Sequence, residues 1–240
     1  MSERRPRDNQ EAYVLHTYPY RETSLLLDVF TRAAGRVTLV ARGARRPRSA
    51  MRGVLLSFQP VQLGWYGKGE VRTLTRAEWI GGQPLLQGEA LLCGFYLNEL
   101  LLRLLPREDP HEALFERYGE ALRGLASGTA TGPILRAFEK ALLREIGYAL
   151  VLERDGASGL GVDAAKTYTY DPERGPVEVN ATAQADLKLA GQTLLDIARD
   201  DFSDAVTQQQ AKLLMRSLIN HRLEHQPLRS RRIFRELREL

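Results

Sequence analysis

Two sets of side chains in this sequence have the types and spacing to do chemistry. His221, Glu224 and His225 fit the pattern H-x-x-E-H, in which two histidines on one helical face hold zinc and the glutamate acts as base in a hydrolysis. Arg32, Arg36, Arg42, Arg45, Arg46, Arg48, Arg52 and Lys68 lie between Asp28 and Glu70 with no acidic residue among them, and the chemistry of such a run is phosphate binding. The first set falls directly before Gln226 and Pro227, at the last turn of its helix, where the helix dipole alone favours histidine. No third ligand stands out from Glu236 and Glu239, so a zinc hydrolase using His221, Glu224 and His225 is the weaker reading. The glycines of residues 64–69 and 156–161 lack phosphate-loop spacing, and His16, Cys93 and His111 stand outside any catalytic constellation. The expectation is a protein that is not an enzyme and uses neither metal nor another cofactor.

Charge is segregated along the chain. Residues 1–80 carry 14 Lys+Arg against 7 Asp+Glu, a net of +7, whereas residues 81–240 carry 20 against 23, a net of −3. Nucleic acid is therefore expected to meet the N-terminal part first. With 240 residues, 43% of them hydrophobic, the chain can bury a substantial core. Cys93 is the only cysteine, which removes a disulfide framework and a cysteine-based zinc site and agrees with a reducing compartment. The basic N-terminus has no apolar h-region after it, and Asn98, Glu99 and Arg103 interrupt the most apolar stretch, so the expected location is cytoplasmic.

The elements that must carry the basic run read as strands. Apolar alternation predicts five, over residues 13–16, 24–31, 36–42, 60–66 and 71–79, with a glycine-flanked turn at Lys68 between the last two. In the third, Val37, Leu39 and Ala41 face one way and Arg36, Thr38, Val40 and Arg42 the other. Five short strands with a longer connection between the third and fourth match a five-stranded Greek-key barrel of the OB type, a common binder of single strands. Arg45, Arg46, Arg48 and Arg52 sit on that connection. After residue 80 the period becomes helical, with helices expected over 85–105, 111–125, 133–146, 184–199 and 203–224 and Gly147 ending the third. Residues 153–183 lose the helical period and suggest a small hairpin. The fold class is α+β: an OB-fold nucleic-acid-binding domain over 1–80 and a mainly helical domain over 81–240 with a non-helical insertion at about 153–183.

The residues also resemble a known family. The run from Ala12 to Thr31, then Gly35 to Ala44, resembles the start of the bacterial recombination mediator RecO, and the likeness continues through residues 69–74, 96–100, 135–148 and 227–231, nearly the whole chain. The resemblance implies a protein that binds single- and double-stranded DNA, anneals complementary strands and, with RecR, helps load RecA onto DNA coated by single-stranded DNA-binding protein (SSB). It implies work beside RecF in gap and double-strand-break repair, at the nucleoid, as a monomer when free. Many members carry a four-cysteine zinc site where this chain has residues 153–165, and none of those cysteines is present, as in the gamma-proteobacterial branch.

Arg36, Arg42, Arg45, Arg46, Arg48, Arg52, Lys68 and Arg72 are the expected phosphate contacts, reading charge and not sequence. Tyr18 or Tyr66 offers a ring for a base to stack on, or else belongs to the barrel core. Given the family's SSB tail, acidic and apolar-ended, Arg136 and Lys140, one turn apart on the third helix, are candidates to pair with its carboxylates. An RNA-binding OB protein would show the same charge split, and only substrate preference separates the two.

Overall fold

The structure, a computed structural model, describes residues 7–179 and 187–238. Its strands are β1 (Arg7–Tyr20), β2 (Ser24–Thr31), β3 (Gly35–Ala41), β4 (Pro60–Tyr66), β5 (Val71–Trp79), β6 (Thr167–Asp171), β7 (Gly175–Glu178) and β8 (Leu189–Ala190). Its helices are α1 (Met51–Val54), α2 (Gly88–Leu104), α3 (Glu112–Ala126), α4 (Thr131–Glu145), α5 (Gly191–Ala198), α6 (Ala205–Arg222) and α7 (Arg229–Arg238). Two compact units result, one of Met1–Thr129 with Leu228–Leu240 and one of Ala130–Pro227.

In the first unit β1 to β5 close into a barrel in the order β1-β2-β3-β5-β4, with β4 pairing back to β1. Only β3 and β5 are parallel, Thr38 facing Val71 and Val40 facing Thr73. That is the Greek-key barrel expected from the alternation, and closure leaves no free sheet edge. Its interior is filled by Val14, Leu27, Val29, Leu39, Leu63 and Trp65, all essentially without solvent exposure.

The first strand is far longer than the expected 13–16. It pairs with β4 through its first half and with β2 through its second, and each half contains a bulge, at Arg7/Gln10 and at Val14/His16. A bulge shifts the two-residue period by one position, so the buried pair Val14 and Leu15 breaks the alternation by which a strand is recognised. The bulge also frees the Leu15 carbonyl, which accepts a hydrogen bond from Asn98 Nδ2 of α2 at 2.8 Å. Asn98 Oδ1 in turn accepts from the hydroxyl of Tyr118 on α3. These polar atoms are buried, and pairing them fixes α2 and α3 on the barrel.

One arginine of the acid-free run has its neutralising acids elsewhere in the chain. Arg32 Nε reaches Glu11 at 2.6 Å, its Nη1 pairs with Glu112 at 3.3 Å and with Glu116, and its guanidinium lies 5.0 Å from the Phe115 ring centre. The Glu116 contact, with those to Glu11 and Glu112, raises its pKa.

In the second unit β7, β6 and β8 form a small sheet in that order, the hairpin expected within the insertion plus one short strand. It shares a core with α4, α5 and α6 built on Leu143, Tyr168, Leu194, Ile197, Leu214 and Met215. Gly147, at φ 87°, ends α4 as expected, its neighbour Tyr148 donating back to the Leu143 carbonyl at 2.8 Å. The helix expected over 184–199 begins only at Gly191, while residues 184–186 lie outside the described residues. A Cβ at position 191 would stand 1.9 Å from the Asp163 carbonyl oxygen, so this junction of strand and helix is closed by a backbone contact only glycine permits.

Candidate nucleic-acid interface

The connection from β3 to β4 is built so that its arginines point outward from a fixed backbone. Successive turns hold it, with Arg46 N–H donating to the Gly43 carbonyl at 3.1 Å, Ser49 to Arg46 at 3.0 Å and Arg52 to Ser49 at 3.2 Å. Gly43, at φ 70°, takes the conformation that starts this series, and buried Ala44 and Leu55 anchor the two ends. Arg45 is tied to the β1–β2 turn, its N–H donating to the Thr23 carbonyl at 2.8 Å and its Nη1 to those of Arg21 and Glu22, both at 3.3 Å.

Of the eight expected phosphate contacts, Arg42, Arg45, Arg46, Arg48, Arg52 and Lys68 are exposed. Among the described residues none of these six lies within ion-pair distance of a carboxylate. Arg36 and Arg72 are different. Arg36 Nε donates to the Leu105 carbonyl at 3.1 Å, and burial, with Arg107 beside it, lowers its pKa. Arg72 pairs with Glu108 at 2.6 Å. Both are held by the segment after α2, which runs alongside the start of β3: Glu108 N–H donates to the Arg36 carbonyl at 2.9 Å, and Arg36 and Arg107 form a β-bridge.

The aromatic candidates separate as well. Tyr66 is half-buried, whereas Tyr18 is open at 42% exposure. Burial, then Asp28, raises the pKa of the Tyr18 phenol, while Arg229, Arg107 and Arg36 act in the opposite direction. Sequence reasoning passed over Tyr20, Arg21 and Arg107, which share this part of the barrel surface. The signal for Tyr20 was present in the period-two spacing of His16, Tyr18 and Tyr20, but it is visible only once β1 is known to run to residue 20.

In the second unit Arg136 and Lys140 are committed to their own chain. Arg136 is 8% exposed and pairs with buried Glu139 at 2.8 Å, leaving its Nε without a hydrogen-bond partner. Lys140 Nζ donates to the carbonyls of Ile197 at 2.7 Å and Ala198 at 2.9 Å and to Asp200 Oδ1 at 2.8 Å, capping the end of α5. The zinc pattern loses its geometry: α6 ends at Arg222, and Glu224 and His225 have φ of 50° and 61°, so the two histidines do not lie one turn apart on a helical face. Among the described residues no three His, Cys, Asp or Glu side chains are grouped to hold a metal ion, and no helix is long and apolar enough to cross a membrane.

Residues 6–83 match the family model for the N-terminal part of recombination protein O, and residues 85–232 match that for its C-terminal part. The chain belongs to the RecO family. It is 56% identical over 240 residues to the DNA repair protein RecO of Aromatoleum aromaticum, covering 100% of both chains. It is 57% identical over 236 residues to that of Azoarcus sp. (strain BH72) and 54% identical over 236 to that of Dechloromonas aromatica, with 97% of each chain covered. These RecO relatives are beta-proteobacterial. In this RecO chain the segment 153–165 presents no cysteine thiolates for zinc; its buried carboxylate, Asp155, accepts four hydrogen bonds from the chain itself.

Proposed function

We propose that the protein is a DNA-binding recombination mediator. It binds single- and double-stranded DNA through Arg42, Arg45, Arg46, Arg48, Arg52 and Lys68, anneals complementary strands and, with RecR, helps load RecA onto SSB-coated DNA in the RecF pathway. The observation that carries this reading is six exposed cations on the connections of a closed barrel, with no carboxylate at ion-pair distance among the described residues, in a chain whose relatives are named DNA repair proteins. Phosphates displacing counterions from that surface give affinity without base readout, and two strands held on one basic surface have their mutual repulsion screened. Arg36 and Arg72 add to the local field more than to direct contact, because each is already engaged.

The barrel domain of 1–80 is the DNA-handling part in this reading, and the helical domain of 81–240 receives the SSB tail. Arg136 and Lys140 would meet that tail only by releasing Glu139 and the α5 carbonyls. The protein works in the cytoplasm at the nucleoid, as a monomer when free, and handles strands without catalysing a reaction.

The test is annealing of complementary DNA strands, bare and SSB-coated, by the wild type and by Arg45→Glu/Arg46→Glu/Arg48→Glu. Acceleration on both substrates by the wild type, lost in the folded triple variant, is expected. A folded wild type that anneals neither substrate removes the reading and makes RNA the next substrate to try.

A further inference from the structure

Along β1 the outward side chains are aromatic in two stretches that differ in what covers them. Tyr13 is packed beneath α3, its ring centre 5.3 Å from that of Phe115 and 5.0 Å from that of Tyr118. Past the bulge at Leu15, His16, Tyr18 and Tyr20 continue at alternate positions, about 7 Å apart along one face, and all three are exposed, Tyr18 at 42% and Tyr20 at 38%. The His16 and Tyr18 rings meet edge to face at 4.3 Å, and the Arg21 guanidinium lies 5.2 Å from the Tyr20 ring centre. Tyr18 faces Leu26 and Leu26 faces Val40, so the floor beside the rings is half-buried aliphatic surface.

Positive charge stands at both ends of this face. At the Tyr20 end, Arg45 is bound to the β1–β2 turn and Arg42 follows the last β3 pair. At the His16 end, Arg36 and Arg107 are joined by their β-bridge. The carboxylate on the face, Asp28, is buried and accepts from the Thr38 hydroxyl at 2.8 Å, which withdraws it from the surface.

We propose that the outer face of β1 is a stacking platform for the bases of single-stranded DNA, with Tyr18 and Tyr20 as its principal rings and the exposed Arg42, Arg45 and Arg107 at its ends holding the phosphates. This rests on the DNA-binding reading and deepens it. The loop arginines serve any phosphate backbone, whereas open rings serve only bases released from a duplex, so the platform gives the protein a preference for single strands.

The experiment is fluorescence anisotropy with an oligo-dT strand and a duplex of equal length, comparing the wild type with Tyr18→Ala/Tyr20→Ala, Tyr18→Phe/Tyr20→Phe and the loop triple Arg→Glu variant. The double alanine variant is expected to lose oligo-dT affinity by about tenfold or more, with duplex affinity unchanged, while the double phenylalanine variant binds both as the wild type does. The loop variant is expected to weaken on both ligands. Equal losses on strand and duplex in the alanine variant, or no loss on the strand, overturn the platform and leave the DNA-binding reading standing. A wild type that binds neither ligand removes both.

Discussion

Lys140 shows how one side chain can look like a surface contact and act as a brace. Each of its three N–H donors has an acceptor, two of them the carbonyls of Ile197 and Ala198 at the end of α5. Lys140→Ala takes the lysine donor from both part-buried oxygens, leaving Ile197 only the Asp200 N–H at 3.2 Å, and is expected to destabilise the second unit by about 1–3 kcal/mol, measured as the midpoint shift in urea. Unchanged stability would free Lys140 for a partner's carboxylate. The phosphate candidates divide for the same reason, their surroundings and not their type. Arg36 and Arg42 stand on the same outward face of β3 in the sequence pattern, and residue type cannot say that the segment after α2 returns to bind the first and leave the second open. Six exposed cations out of eight were legible from charge and period; the other two were settled by a contact 69 residues away for Arg36 and 36 away for Arg72.

At the scale of an element, one carboxylate gathers four hydrogen bonds within the insertion between α4 and α5. Asp155 Oδ1 accepts from Ala157 N–H at 3.0 Å and from Ser158 N–H and Oγ at 2.6 and 2.8 Å, while Oδ2 accepts from Glu178 N–H on β7 at 2.7 Å. It thereby ties the loop of 153–165 to the hairpin. The Ser158 amide is the largest influence on its pKa, and with the Glu178 and Ala157 amides it outweighs burial and brings the value down to about 2. Because the unfolded carboxyl titrates near about 3.9, folding favours the ionised form. Its contribution is complete above that value and disappears as the pH falls through it to about 2. Protection of the Ser158 and Glu178 amides, exchange relative to the intrinsic rate at each pH, is therefore expected to fall as the pH drops across that window in the wild type. Asp155→Asn, which keeps the shape but loses the charge, is expected to show fast exchange at neutral pH and no such transition. Flat protection in the wild type down to pH 2 would remove Asp155 from this role. The hairpin was legible from the lost helical period, whereas the linkage was not, since a short carboxylate beside serine and glycine reads as any solvated turn.

For the whole molecule the separation of charge matters more than its total. The net +4 of the chain conceals +7 over residues 1–80, and the three reversals at Arg45, Arg46 and Arg48 take that region to +1. If those side chains each neutralise a phosphate, the slope of log affinity against log salt for a single strand should become shallower by about 0.7 for each phosphate no longer neutralised, roughly 2 in all. The aromatic variants should lower affinity at every salt concentration with the slope retained, because stacking releases no counterions. The two sets of variants thus separate the charge of the barrel from its rings by the form of the salt dependence. A loop variant whose line falls without a change of slope would move the phosphate path off the β3–β4 connection. The next residues to reverse would then be Arg107 and Arg229, the exposed arginines that act on the Tyr18 phenol.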